Sequence, residues 1–322
     1  MSEDLHRITL RNGVRMPRIA FGCAFGNWVG TEPFQGFRPE LAWRAVNLAL
    51  DTGYRAFDGA RVYGTESIVG HLIGQRLAAG ELTRDELFIT TKLAHPAAPP
   101  HINISHLRTL DADTVTDVAA RVRDDMLRTL DDLMMGYVDL LLIHWPSPFS
   151  NQDPVLGRRM RATIWQTFRE FFDKGTARAI GVSNFSVTHL QQLLEDAPDC
   201  PPMVNQVEVH PYCRDPILEA YCRDHGIVLT AYAPFASGTF GLLTDPVIID
   251  IAQRHGKSAG QVILRWHLQR GRTVLPKSSS PERLRHNLEV FDFALPDDEL
   301  AAIDALGTGE PRRTCPDPGT LV

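Results

Sequence analysis

Thr52-Gly-Tyr-Arg-Ala-Phe-Asp-Gly-Ala-Arg-Val-Tyr63 reads as a short strand, Tyr54 to Phe57, that delivers a carboxylate, Asp58, at its carboxyl end and then turns to a phenol, Tyr63. Downstream, Lys92 and His144 also stand directly after apolar, strand-like runs. One polar group at the end of each of several strands is a pattern, and it asks what repeats around it.

What repeats is strand and helix. Arg18–Phe21 is a plausible first core strand ending at Gly22, and Pro39–Leu50 has helical apolar spacing with a proline suited to the first turn. Then follow strand Tyr54–Phe57, helix Glu66–Ala79, strand Leu87–Thr91, helix Val115–Leu133 and strand Val138–Ile143. Helix Arg161–Asp173, strand Ala177–Val182, helix Val187–Glu195, strand Met203–Val207 and helix Pro216–His225 come next. Strand Ile227–Tyr232, helical stretches Val247–Arg254 and Ala259–Gln269, and strand Thr273–Leu275 complete a series of eight strands. Alternation of this length predicts an α/β fold, a parallel sheet closed into a (β/α)8 TIM barrel. Near-continuous apolar strands such as Val138-Asp-Leu-Leu-Leu-Ile143 suit a sheet covered on both faces. An open dinucleotide-binding sheet would carry GxGxxG after its first strand; Gly22-Cys-Ala-Phe-Gly-Asn27 lacks the third glycine.

The chain has 322 residues, room for two domains or for one barrel of about 250 residues with extensions. We expect one barrel domain over residues 1–322, with an N-terminal β-hairpin in 1–17 turning at Asn12-Gly13 and a loosely structured tail in 307–322. A formal charge of −6 gives no support for nucleic-acid or membrane-surface binding. The polar start and the absence of any apolar run near 20 residues predict a cytoplasmic protein without a signal peptide or membrane span. Five scattered cysteines without CxxC spacing predict reduced thiols, and no metal cluster is visible.

In such a barrel, chemistry sits at the carboxyl ends of the strands, where Asp58, Tyr63, Lys92 and His144 are expected. Each alone has a bland reading as a cap, a packing residue, an exposed cation or a core histidine. Together they form a proton-delivery set. A phenol titrates near 10, an adjacent ammonium lowers that value, a carboxylate balances the buried ammonium, and a neutral histidine orients a carbonyl oxygen. The set protonates an oxygen as something attacks its carbon. With no nucleophile among them, the attacking group must come from a cofactor, and hydride is the natural candidate. Ser183-Asn184 after the fifth strand and Gln206 in the sixth suit an amide, Tyr232 offers a stacking face, and Lys277-Ser-Ser-Ser-Pro-Glu-Arg283 suits a phosphate.

Six ordered segments carry a resemblance. They are Gly53–Glu66, Ile89-Thr-Thr-Lys-Leu93, Val138–Pro146, Gly181-Val-Ser-Asn-Phe185, Asn205–Pro211 and Leu275–Arg283, and through them the chain, from about Ile8 to Leu306, resembles the aldo-keto reductases. The resemblance implies an NADPH-dependent carbonyl reductase with Tyr63 as general acid, Lys92 and Asp58 assisting, and His144 orienting the carbonyl. It places Ser183, Asn184 and Gln206 on the nicotinamide carboxamide, Tyr232 on its ring, and Lys277, Ser278 and Arg283 on the 2′-phosphate. Gly22, Cys23 and Asp58 are expected beside the cofactor, Asn287 at adenine next to an atypical His286, and Ser237 and Leu242 in the loop over the pyrophosphate. Trp28, Tyr63, His144, Trp145 and Phe149 are expected to line an aromatic pocket for a small-molecule aldehyde, ketone or alcohol. The loop His95–Asp113 and the tail segment Arg312–Pro318 are expected at its mouth. A monomer is expected. A Lys92 Schiff-base lyase and a barrel that binds a nucleotide without useful catalysis are the rival readings.

Overall fold

Leu140-Leu-Leu-Ile143 is wholly buried, which requires cover on both faces of its strand. The computed structural model supplies that cover with a ring of helices around a barrel; it describes residues 5–25, 38–93, 118–148 and 152–322. The strands of the chain are β1 (Arg7–Thr9), β2 (Arg15–Pro17), β3 (Phe21–Gly22), β4 (Ala56–Asp58), β5 (Phe88–Leu93), β6 (Leu140–Ile143), β7 (Ile180–Ser183), β8 (Val204–Glu208), β9 (Val228–Tyr232) and β10 (Thr273–Val274). The helices are α1 (Pro39–Thr52), α2 (Glu66–Ala78), α3 (Val118–Leu133), α4 (Pro154–Asp173), α5 (Val187–Asp196), α6 (Pro216–Asp224), α7 (Pro246–His255), α8 (Ala259–Gln269), α9 (Pro281–Leu288) and α10 (Asp297–Ala305).

β3 through β10 form one parallel sheet in sequence order. Its two edges meet: Ile19 bridges Val274, the Ala20 N–H donates to the Val274 carbonyl at 3.0 Å, and the Val274 N–H donates to the Arg18 carbonyl at 2.9 Å. The eight strands are therefore a closed (β/α)8 barrel, as the alternation predicts.

Side chains alternate along each strand, so the barrel has two apolar systems. Phe21, Phe57, Ile89, Leu141, Ile143 and Val182 belong to the outer one, under the helices. Ala20, Ala56, Phe88, Leu140, Leu142, Ala179 and Val204 belong to the inner one, together with Leu10 and Met16 of the hairpin. The hairpin β1–β2 thus plugs the barrel at the amino ends of the strands. Arg11 there donates to the His225 carbonyl at 2.6 Å and Asn12 to the Arg178 carbonyl at 2.8 Å, residues that precede β9 and β7. Its turn falls at Asn12-Gly13 as expected, with Gly13 at φ 86°.

One inward position tolerates no side chain. A Cβ on Gly181 would lie 2.5 Å from the Val204 carbonyl oxygen and 2.9 Å from Leu142 Cδ2. We expect Gly181→Ala to destabilise the fold by about 1–3 kcal/mol through this overpacking, read as a lower midpoint in urea at unchanged slope.

Three expectations are corrected. α4 begins seven residues before Arg161, at Pro154, because the Asp153 carboxylate caps it by accepting from the Val155 and Leu156 N–H groups at 2.9 and 3.3 Å. α10 was not anticipated. The residues 307–322 are not loose. Arg312 N–H donates to the Tyr212 carbonyl, Thr314 and Cys315 bond Glu208, and the carbonyls of Leu321 and Val322 meet His189 and Arg161. Trp28, Phe149 and the loop His95–Asp113 lie outside the described residues. All five cysteines are free, no described helix is long and apolar enough to cross a membrane, and no metal-binding group of His, Cys, Asp or Glu occurs among the described residues.

Candidate active site

Period-two alternation decides who meets at the carboxyl rim. On β4, Asp58 shares its face with inward Ala56; on β5, Lys92 shares it with Phe88; past β6, His144 follows Leu140 and Leu142. Ser183, Gln206 and Tyr232 stand on the same inward rows as Ala179, Val204 and Val228. Six consecutive strands thus point a polar side chain at one axis. Asp58 and Lys92, placed just beyond their strands by the sequence, lie within them.

The centre is an ion pair. Lys92 Nζ donates to Asp58 Oδ1 at 2.5 Å and to the Gly59 carbonyl at 2.8 Å, and it stands 3.5 Å from the Tyr63 hydroxyl. Lys92 and Asp58 are both buried. The second Asp58 oxygen accepts from Gln206 Nε2 at 2.7 Å, so neither oxygen is left bare. Burial opposes the Lys92 charge, but Asp58 and then Tyr63 hold the ammonium above its ordinary value. Half-buried Tyr63 sits in a 3-10 turn, Arg61–Tyr63, with its ring edge-on to His144 at 5.7 Å and 81°. Burial raises its phenol above the usual tyrosine value, and Lys92 pulls it only part of the way back. The ammonium lowers the phenol as expected, and burial outweighs it. The phenol keeps its proton through the neutral range, which is the state an acid needs in order to donate.

The Tyr63 turn is held from behind by a buried carboxylate that the sequence reading passed over. Glu66 accepts from Thr91 Oγ1 at 2.6 Å, Thr129 Oγ1 at 3.0 Å and Arg61 Nη1 at 3.2 Å, and Arg61 also pairs with Asp132. The signal was available, since Glu66 closes the Gly53–Glu66 segment.

The Aldo/keto reductase family profile matches residues 18–308. The chain belongs to this family. It is 36% identical to Aldo-keto reductase family 1 member A1-A of Danio rerio, covering 94% of this chain and 90% of that protein. It is also 36% identical to the glyoxal reductase of Bacillus subtilis, covering 98% and 97%. The solved aldose reductase of Schistosoma japonicum superposes with a TM-score of 0.76 at 30% identity, covering 94% of this chain and 93% of that one. As an aldo-keto reductase, the chain is an oxidoreductase.

The other predicted positions of this aldo-keto reductase divide. Asn184, in the left-handed region at φ 62°, donates from Nδ2 to the His144 carbonyl at 2.9 Å and to Ser183 Oγ at 3.2 Å, while its Oδ1 accepts from the Tyr232 hydroxyl at 2.8 Å. Ser183 Oγ donates to the Gln206 carbonyl at 2.8 Å. These groups form one connected shelf beside Asp58. Lys277 and Arg283 are exposed at the start of α9, and Lys277 Nζ donates to the Ala24 carbonyl at 2.9 Å; Ser278 Oγ accepts from the Ser280 N–H at 3.1 Å. Trp145 is buried directly after His144, and Ser237, at φ 53°, lies in the loop after β9.

Three more of the expected cofactor positions turn their side chains inward. The Cys23 thiol is buried in the outer core, with its N–H donated to the Asp58 carbonyl at 2.8 Å and its carbonyl taken by Thr65 Oγ1 at 3.1 Å. Leu242 buries its side chain in the same core. Asn287, on the buried side of α9, lies next to the Tyr54 phenol. A Cβ on Gly22 would be in ordinary contact with the Leu275 carbonyl oxygen at 3.6 Å and Lys277 Cβ at 3.8 Å.

Proposed function

We infer that the chain reduces a small aldehyde or ketone to the alcohol, reversibly, using NADPH. The observation that carries this reading is the buried Lys92 ammonium clamped between Asp58 and Tyr63. It supports Tyr63 as the general acid, and it argues against a Schiff-base role, because an amine held protonated above its ordinary value is a poor nucleophile.

The residues fit the cofactor. Gln206 Oε1 and a second lone pair of Asn184 Oδ1 remain as acceptors for a carboxamide NH2, and the second Nε2 hydrogen of Gln206 remains as a donor for its oxygen. Tyr232 would present its ring as a stacking face, and Lys277, Ser278 and Arg283 would hold a 2′-phosphate. When bound there, a dihydronicotinamide would supply the hydride for the carbonyl carbon. Tyr63 donates its proton to the carbonyl oxygen, His144 donates a hydrogen bond that aims that oxygen, and Lys92 stabilises the phenolate that remains. Trp145, buried directly after His144, would give the pocket an aromatic wall and so favour apolar carbonyl compounds.

The test is NADPH oxidation against a panel of aldehydes and ketones. Arg283→Ala is expected to raise KM for NADPH by roughly 10- to 100-fold, the loss of one charge-assisted contact, while leaving KM for NADH unchanged. No carbonyl-dependent oxidation by the native protein, with NADPH binding intact, would sink the reading.

A further inference from the structure

β8 carries a second inward carboxylate. Glu208 shares a face with Gln206, one step nearer the rim, and is buried. Unlike Asp58, it takes three of its four donors from the C-terminal segment. Its Oε1 accepts from the Thr314 N–H and from Thr314 Oγ1, both at 2.6 Å, and from His210 Nε2 at 3.3 Å. Its Oε2 accepts from the Cys315 N–H at 3.1 Å. Burial opposes the charge, yet the His210 and Thr314 donors hold the carboxyl below its usual range.

The two residues it grips face the site. Thr314 Oγ1 lies 3.5 Å from Ser237 Oγ in the loop after β9. The Cys315 thiol lies beside the Tyr232 hydroxyl, the group that also donates to Asn184. On either side, the segment is tied by bonds to Tyr212 at its start and to Arg161 and His189 at its end. Glu208 ties the middle to the barrel interior.

We propose that Glu208 is a positioning residue: its carboxylate seats Thr314 and Cys315 against Tyr232 and so fixes one wall of the carbonyl site. It reaches the chemistry only through that wall. The kinetic part rests on the reductase reading; the structural part does not.

Glu208→Gln keeps the volume but turns one acceptor into an NH2 group that faces a backbone N–H. Labelling of Cys315 by Ellman's reagent, with Cys315→Ser as the baseline for the four buried thiols, should accelerate by about tenfold. With NADPH and benzaldehyde as probes, KM should rise by about tenfold while kcat stays within about twofold. Thr314→Val leaves the barrel interior intact and should give smaller changes in the same direction, so it decides the matter if Glu208→Gln does not fold. Native labelling rate and native KM in a folded variant would overturn the proposal. So would a collapse of kcat at unchanged KM, which would put Glu208 in the chemistry. If the native protein reduces no carbonyl, the reductase reading fails and the labelling rate alone judges the seat.

Discussion

Tyr63→Phe should lower kcat by about a thousandfold while leaving the NADPH dissociation constant within a few fold. The substitution removes one oxygen and keeps the ring, so the edge-on contact with His144 and the 3-10 turn survive. What disappears is the hydroxyl 3.5 Å from Lys92 Nζ. Its pH signature follows from the direction of the phenol's shift. Because burial holds Tyr63 above its ordinary value, the acid is fully protonated at neutral pH, and carbonyl reduction should fall only on the far alkaline side. Single-turnover absorbance of NADPH at several pH values measures this, and wild-type-like turnover in the variant would remove Tyr63 from the role.

Lys92→Met should be the most damaging change to stability as well as to rate. It strands Asp58, buried, with Gln206 Nε2 as its remaining described side-chain donor, and breaking such a pair costs about 3–5 kcal/mol. In the native protein Lys92 titrates above its ordinary value. The pair's contribution is therefore complete at neutral pH and is lost only as pH rises through that raised value. In the variant the loss rests on the buried, unpaired Asp58 carboxylate, so Lys92→Met/Asp58→Asn should regain much of the loss without regaining turnover. Urea unfolding across pH measures the first effect, and NADPH oxidation the second. A double variant no more stable than Lys92→Met would contradict the assignment of the loss to Asp58.

Much of this was legible in the sequence because two periodicities are loud. Helical spacing from α1 to α8 and apolar runs such as Leu140–Ile143 named the barrel, and strand-end placement named Asp58, Lys92 and His144. The misses share a physical cause, which is that they depend on where a partner arrives. The early start of α4 depends on a cap at Asp153, outside the apolar period. The order of the tail depends on a carboxylate more than a hundred residues earlier, which no local pattern announces. Cys23 and Leu242 turn their side chains into the outer core, a direction that local spacing outside a strand does not announce. The Tyr63 phenol shows the same limit, since a neighbouring charge can be read from spacing and the loss of solvent cannot.

The bridge between Ile19 and Val274 has a consequence for how the protein is made. The barrel's closing bonds join residues from opposite ends of the chain, and the bond between Gln206 and Asp58 spans 148 positions. A nascent chain that has not yet delivered β10 holds two unsatisfied sheet edges, each able to recruit a foreign strand. Regain of activity after dilution from denaturant should therefore trail the return of helical signal, because the helices need only their neighbours and the site needs both ends.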